Sequence, residues 1–177
     1  YAATGDKERE RRVENFCCTS HELAFHDDIV KCNLCGMVYT NPQPDSEKLI
    51  DVYKDVEDPL YQEETAARER TFLKSLKQLQ KFRSPPGRML DVGCYTGVFM
   101  KVARENGWEV DGLELSRWAA DKAREGGWGN VYNLPLEDIE KPPDDKLYDA
   151  VTLWDVIEHL TDPAKVINDA SRLLKPG

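Results

Sequence analysis

The stretch that most constrains the fold is residues 89–97, in which an apolar strand runs into a turn bracketed by Gly93 and Gly97. Glycine lets the backbone approach a bound molecule where a Cβ would intrude, and the free N–H groups of a helix start point at the same place. This unit therefore predicts a site for a nucleotide-like cofactor. Its spacing is G-x-x-x-G rather than the G-x-G-x-x-G of nicotinamide-dependent dehydrogenases, which disfavours that class.

Strands and helices alternate from residue 88 onward, which predicts an α/β fold with a parallel sheet and right-handed crossovers. Ser116 and Asp162 are residue types that cap helix starts, and Pro163 favours the first helical position. The predicted strands lie near 88–92, 108–114, 129–133 and 148–154, and the predicted helices near 96–106, 116–126 and 163–174.

The glycine turn resembles motif I of the class I S-adenosylmethionine-dependent methyltransferases, D-x-G-x-G-x-G, which here begins at Asp91 and has Tyr95 in place of the middle glycine. Three further stretches follow in that family's order: a strand ending in Glu114, a loop around Leu136, and a strand ending at Trp154. The resemblance implies a Rossmann-like parallel sheet with strand order 3-2-1-4. It also implies S-adenosylmethionine as the cofactor and methyl transfer as the activity.

The chain stops at Gly177, where this family would continue into three more strands, so we expect a truncated form of the fold. With the order 3-2-1-4, the apolar strand at 148–154 would lie at an open edge. We therefore expect either self-association, such as a homodimer, or a longer native chain that covers this edge.

The resemblance also assigns the cofactor contacts. A carboxylate at Glu114 can accept hydrogen bonds from both ribose hydroxyls. Tyr95 would either cover the methionine portion or point to solvent, whereas Leu115 and Leu136 would either sandwich the adenine or belong to the core. The predicted cofactor-binding residues are Asp91, Gly93, Cys94, Tyr95, Gly97, Glu114, Leu115, Leu136, Glu137, Trp154 and Asp155.

Glu158 and His159 are the candidate catalytic pair, because they follow the strand that ends at the sheet's carboxyl edge. His159 could accept a proton near neutral pH, with Glu158 orienting or polarising it, if the acceptor must lose one. The alternative is that the pair anchors its loop by hydrogen bonds and touches no substrate.

The cysteines suggest a small metal module. Cys32 and Cys35 form a C-x-x-C-G knuckle, and Gly36 can take the positive φ that brings N–H groups toward a thiolate. Cys18 and His21 would complete a Cys₃His zinc site, with Cys17 as the competing first ligand. The segment resembles the zinc-binding domain that precedes the methyltransferase fold in sugar C-methyltransferases, although Asn15 stands where that family usually has the first cysteine. The alternative is a set of reduced cysteines packed in a loop-rich module.

The chain divides into a charged tail (1–14), a zinc-binding-like module (15–44), a helical lid or linker (45–86) and the cofactor domain (87–177). Within the lid, a short helix is expected from Asp45 and a longer one over 63–82, from its apolar stripe. The net charge of −9 argues against nucleic-acid or anionic-membrane partners, and no apolar run approaches the length of a membrane span. Five cysteines, an odd number, favour a reducing cytoplasm over a disulfide framework.

The sequence therefore predicts a methyltransferase that acts on a small molecule. The resemblance of the N-terminal segment favours C-methylation of a nucleotide-linked sugar. The alternatives are an O-methyltransferase of a quinone or polyketide precursor, and a cofactor-binding fragment without turnover.

Overall fold

A computed structural model describes residues 28–43, 45–59, 61 and 65–176. The predicted charged tail and the candidate ligands Cys17, Cys18 and His21 lie outside the described residues. The strands are β1 (Asp28–Lys31), β2 (Val38–Asn41), β3 (Gly87–Val92), β4 (Trp108–Leu113), β5 (Val131–Tyr132) and β6 (Ala150–Thr152). The helices are α1 (Ser46–Lys54), α2 (Thr65–Leu79), α3 (Val98–Glu105), α4 (Arg117–Gly126) and α5 (Pro163–Ser171).

The predicted α/β fold and strand order are confirmed. A parallel sheet has the order β5-β4-β3-β6, so β3 lies centrally and the order reverses between β3 and β6. Successive β3 side chains point to opposite faces, which places Met89 in one core and Leu90 in the other. Helices α2, α3 and α4 cover the first face, and α5 covers the second.

The predicted helix starts at Ser116 and Asp162 are also confirmed. The Ser116 hydroxyl accepts the Ala119 N–H at 3.0 Å, and the Asp162 carboxylate accepts the Lys165 N–H at 2.9 Å. Each side chain satisfies one of the N–H groups that a helix start leaves without an intrahelical partner.

The edge at β6 is shorter than predicted, because Tyr148 pairs with a different segment. Its N–H donates to the Leu173 carbonyl, and its carbonyl accepts the Lys175 N–H, each at 2.9 Å. This parallel bridge to Leu174 draws the chain out of helical geometry, so α5 ends at Ser171 rather than near 174. Just before β6 begins, the edge of the sheet is therefore paired with the segment after α5.

Two N-terminal features complete the fold. Strands β1 and β2 form an antiparallel hairpin that the sequence did not predict, with Ile29 opposite Thr40. Helix α2 packs on α3 through an edge-to-face contact between Phe72 and Phe99, whose ring centroids lie 5.4 Å apart. None of the described helices is long and apolar enough to cross a membrane.

Candidate cofactor site

Three loops meet at the carboxyl end of the sheet, beside the point where the strand order reverses. They are the 93–97 turn after β3, the 114–116 loop after β4 and the 154–159 loop after β6. Crevices of this kind are where open α/β sheets bind ligands.

The turn after β3 and the loop after β6 touch at Gly93. This residue has φ +72°, and a Cβ built on it would lie 2.5 Å from Cγ2 of Val156. Glycine is therefore required here both by the left-handed backbone and by the close approach of Val156. The contact brings the 154–159 loop, which carries the candidate catalytic pair, beside the cofactor turn.

Glu114 ties the first two loops together. Its Oε2 accepts the Tyr95 N–H at 2.8 Å, and its Oε1 accepts the Ser116 N–H at 2.7 Å. The residue is only 8% exposed, and this burial raises the pKa of Glu114, while backbone N–H bonds from Ser116, Tyr95 and Leu115 work in the opposite direction. Each carboxylate oxygen can accept two hydrogen bonds, so both retain acceptor capacity for a ligand.

Tyr95 stands in the left-handed region, with φ +50°. This is the position that is glycine in the motif it resembles, and the backbone keeps a conformation typical of glycine despite the larger side chain. A left-handed conformation is disfavoured for tyrosine, so contacts elsewhere must hold it.

Asp91 lies behind the turn and faces β6. Its Oδ1 accepts the Thr152 hydroxyl at 2.7 Å, and the residue is buried. Burial raises the pKa of Asp91 to about 7; the Thr152 hydrogen bond lowers it, and the nearby charge of Glu114 raises it further. Near neutral pH this carboxyl is therefore poised between its charged and neutral forms.

Two predicted cofactor residues of the turn, Cys94 and Gly97, have packing roles inside the protein. The Cys94 thiol belongs to the core beside Gly112 and Met100, and burial raises the pKa of this thiol. Gly97, with φ +80°, begins α3, and a Cβ there would lie 3.1 Å from Cβ of Ala123 on α4. The absence of a side chain at Gly97 therefore allows the start of α3 to pack closely against α4.

Three further predicted cofactor residues, in the loops after β4 and β5, differ in their burial. Leu136 is buried among apolar residues of the second core, in keeping with the core alternative. Glu137 is exposed, and its Oε2 accepts the Lys165 ammonium of α5 at 2.6 Å. Leu115 is half-buried, and its carbonyl accepts the Asn133 side-chain amide at 2.8 Å. The Asn133 amide also donates to the Glu114 carbonyl at 2.7 Å, a support for this loop that the sequence did not reveal.

Trp154 and Asp155 lie in the turn after β6 at the edge of the site, because the strand ends at Thr152 and not at 154 as predicted. The Trp154 ring packs against Phe99, with centroids 5.2 Å apart, and its buried indole N–H has no hydrogen-bond partner among the described residues. Asp155 is exposed and has φ +53°. Both non-glycine residues with positive φ in the described part of the chain, Tyr95 and Asp155, therefore flank the point where the strand order reverses.

Glu158 and His159 lie on a 3₁₀ turn spanning Ile157–His159, and both are exposed. The His159 ring lies edge-on to the Tyr53 ring of α1, with centroids 6.2 Å apart. The pair is thus accessible at the rim of the site, next to the first helix of the predicted lid.

Val56 and Tyr61, between α1 and α2 in the predicted lid, contact loops of the site, and these individual contacts are what the sequence did not predict. The Ser116 hydroxyl donates to the Val56 carbonyl at 2.7 Å, and the Tyr61 and Tyr95 ring centroids lie 4.4 Å apart. Val56 and Tyr61 are both buried. Such contacts join residues far apart in sequence, and the only available signal was the isolated apolar character of these residues among charged neighbours.

In the Cys32–Cys35 knuckle, backbone N–H groups of the loop are directed at Cys32. The Leu34 N–H donates to Sγ of Cys32 at 3.4 Å, the Gly36 N–H donates to the Cys32 carbonyl at 3.0 Å, and Gly36 has φ +78°. Backbone hydrogen bonds from Cys35 and then Leu34 lower the pKa of the Cys32 thiol. No cluster of three potential metal ligands occurs within the described residues.

Comparisons with known proteins place this chain in a family. A family model described as "Methyltransferase domain" matches residues 61–177. A ubiquinone biosynthesis O-methyltransferase of Alkalilimnicola ehrlichii is 34% identical over 98 residues, which cover 51% of this chain and 38% of that protein. The chain thus spans less than two fifths of the length of this curated relative.

Solved structures agree on the fold. A magnesium protoporphyrin IX methyltransferase from Synechocystis, with bound S-adenosylmethionine, matches 76% of this chain and 74% of its own with a TM-score of 0.55 at 17% identity. A phosphoethanolamine N-methyltransferase of Haemonchus contortus, in complex with S-adenosylhomocysteine, matches 59% of this chain and 26% of its own with a TM-score of 0.51 at 28% identity.

Proposed function

The chain belongs to the methyltransferase domain family, and on this premise we propose that it binds S-adenosylmethionine and transfers a methyl group to a small-molecule acceptor. The observation that carries the proposal is the buried Glu114 carboxylate, held by two backbone N–H groups beside a left-handed turn. Its unused acceptor capacity suits two ribose hydroxyls. A solved relative of 28% identity has S-adenosylhomocysteine bound, which supports the same cofactor here.

The cofactor supplies an activated methyl group on a sulfonium sulfur. The chain's part is to hold the two reacting atoms in line and to exclude water. An acceptor atom gains the methyl group, the sulfur becomes a thioether, and a proton leaves the acceptor if it carried one. His159 is proposed to take this proton on its imidazole, because the residue is accessible and its loop contacts the cofactor turn at Gly93. Glu158 is proposed to orient or polarise it.

For the acceptor, we propose a nucleotide-linked sugar methylated at carbon, because the segment with the Cys32–Cys35 knuckle resembles the N-terminal domain of sugar C-methyltransferases. O-methylation of a quinone precursor is the second candidate, because relatives at 32–34% identity are named ubiquinone biosynthesis O-methyltransferases. A fragment that binds the cofactor without turnover is the third. The net charge of −9 supports small-molecule acceptors over nucleic acid in each case.

The test is a turnover assay with S-adenosylmethionine labelled in its methyl group. Nucleotide-linked sugars and catechol-type quinone precursors are offered in parallel, and S-adenosylhomocysteine is quantified with each. Product with the sugars alone, with the labelled methyl group located on a ring carbon by NMR, supports C-methylation. A methyl group on oxygen, or product with the catechols alone, replaces it with O-methylation. Cofactor binding without product from either panel supports the non-catalytic reading, and absence of cofactor binding contradicts the proposal.

We also propose that the knuckle binds zinc, with Cys32 and Cys35 joined by His21 and by Cys18 or Cys17. The support is the N–H bond to Sγ of Cys32 and the left-handed Gly36. Metal analysis should find about one zinc per chain, which Cys32→Ser should lose. Cys94→Ser is the matched control, because that thiol lies in the core of the other domain. Metal-free parent protein would contradict the proposal.

A further inference from the structure

Tyr61 is the described residue of the N-terminal segment that makes the closest ring contact with the cofactor turn. It is only 6% exposed, its ring meets the Tyr95 ring edge-on at 4.4 Å, and the Arg68 guanidinium lies 3.8 Å above its centroid. Tyr95 also lies 6.0 Å from the Trp118 ring of α4. The Tyr95 side chain is thus held between a lid residue and a helix of the cofactor domain.

This contact bears on a strained backbone. Tyr95 has φ +50°, which is disfavoured for tyrosine by an amount that corresponds to about a tenfold change in an equilibrium constant. In that conformation the Tyr95 N–H donates to Oε2 of Glu114 at 2.8 Å. If Tyr95 relaxed to a negative φ, its peptide N–H would turn and this bond would weaken.

We infer that Tyr61 is a positioning residue for the cofactor-binding carboxylate of Glu114, and that it acts through Tyr95. The ring contact stabilises the left-handed Tyr95, the Tyr95 N–H fixes one carboxylate oxygen, and the Ser116 N–H fixes the other at 2.7 Å. The inference rests on the proposed function only in its second readout below. It also accounts for the tyrosine at a glycine position, because the strain that glycine would avoid is offset by a contact that glycine could not make.

The first readout needs no ligand. In Tyr61→Ala, amide hydrogen exchange at Tyr95, followed by NMR, should become about tenfold faster, because the hydrogen bond to Glu114 opens more often. Tyr61→Phe keeps the ring and should stay within about threefold of the parent. The Lys101 amide, which donates to the Gly97 carbonyl at 2.9 Å in α3, reports whether the domain as a whole has loosened. Exchange at Tyr95 that matches the parent, or that rises only together with Lys101, would overturn the inference.

The second readout is a double-mutant cycle on affinity for S-adenosylhomocysteine, measured by calorimetry. Tyr61→Ala should weaken binding about tenfold in the parent, but less than about twofold in a Tyr95→Gly background, where glycine adopts positive φ without support. Equal losses in both backgrounds would show that Tyr61 acts independently of Tyr95 and would overturn the inference. If the parent bound no S-adenosylhomocysteine, the proposed function would fail, and the exchange experiment would still decide whether Tyr61 positions Glu114.

Discussion

The two ends of the parallel sheet each contain a buried aspartate, and their surroundings are opposite. At the amino end, the Asp149 side chain is 1% exposed and accepts bonds from the Arg83 guanidinium, the Lys175 ammonium and the Arg88 N–H. Burial alone would raise the pKa of Asp149, but the Lys175, Arg88 and Arg83 hydrogen bonds together lower it to about 2. At the carboxyl end, Asp91 has the Thr152 hydroxyl as its hydrogen-bond donor, and its pKa is raised to about 7.

The difference separates a stabilising ion-pair cluster at the amino end from the proposed cofactor site at the carboxyl end. Asp149 joins the segment after α2, the start of β3 and the segment after α5, and its charge is compensated by Arg83 and Lys175. Asp91 and Glu114 are buried acids at an end where two non-glycine residues also have positive φ. Buried acids whose pKa values are raised, and backbone strain, are both destabilising, and such features concentrate where a ligand is bound.

The largest expected effect concerns the pH dependence of stability. An acid whose pKa is raised on folding stabilises the protein below its unfolded pKa, and this contribution is lost as pH rises through the folded value. For Asp91, the change from 3.8 to about 7 corresponds to about 4 kcal/mol lost between about pH 4 and pH 7. Urea unfolding across this range should show that Asp91→Asn removes the Asp91 part of the decline and leaves the part due to Glu114, whose pKa is also raised by burial. Asp138→Asn, an exposed carboxylate at the same end, should leave the decline as it is in the parent. Parallel pH profiles for parent and Asp91→Asn would contradict the assignment.

At the amino end, ionisation of the carboxyl group is expected to stabilise the fold rather than destabilise it. The lowering of the Asp149 pKa from 3.8 to about 2 means that its ionised form stabilises the fold at pH 7, so we expect Asp149→Asn to lower the free energy of unfolding there by roughly 2–3 kcal/mol. The matched control is Asp121→Asn, whose side chain is 68% exposed and pairs with Arg124 on the surface of α4, where the loss should stay below about 1 kcal/mol. Equal losses from the two variants in chemical denaturation would refute the distinction.

A smaller effect on stability should distinguish two reasons for a glycine, namely a positive φ alone and a positive φ combined with a close neighbouring side chain. Gly93 and Gly127 both have positive φ, but a Cβ at Gly127 would meet nothing within 4 Å. We expect Gly127→Ala to lower the free energy of unfolding by about 1 kcal/mol through strain alone, and Gly93→Ala by about 2 kcal/mol because Val156 must also move. Thermal unfolding of the two variants side by side measures the difference, and a larger loss at Gly127 would contradict the reading of Gly93.

Much of the domain could be predicted from sequence because its signals are local. The alternation of strands and helices, the caps at Ser116 and Asp162, and the glycine turn depend on neighbouring residues, and the structure agrees with each. The end of α5 was predicted too late, because the pairing of Tyr148 with Leu174 joins distant segments.

The site was harder to predict because its contacts also join segments that are distant in sequence. The burial of the Cys94 thiol and the close approach of α4 to Gly97 follow from how β4 and α4 pack against the turn, which the motif does not encode. The contact of Tyr61 with Tyr95 depends on how the N-terminal segment returns across the sheet edge. The motif thus located the turn correctly, while the residues that support it could be found only from the fold.

The most direct test of the difference between the two ends is calorimetric titration of S-adenosylhomocysteine into the parent, Glu114→Gln and Asp149→Asn, with folding checked by circular dichroism. The parent should bind, and Glu114→Gln should lose about tenfold or more in affinity, because a buried carboxylate acceptor has been replaced by a neutral amide. Asp149→Asn should bind like the parent despite its lower stability, since it lies at the opposite end of the sheet. A parent that does not bind, or a Glu114→Gln variant with the affinity of the parent, would contradict the assignment of the carboxyl end as the cofactor site.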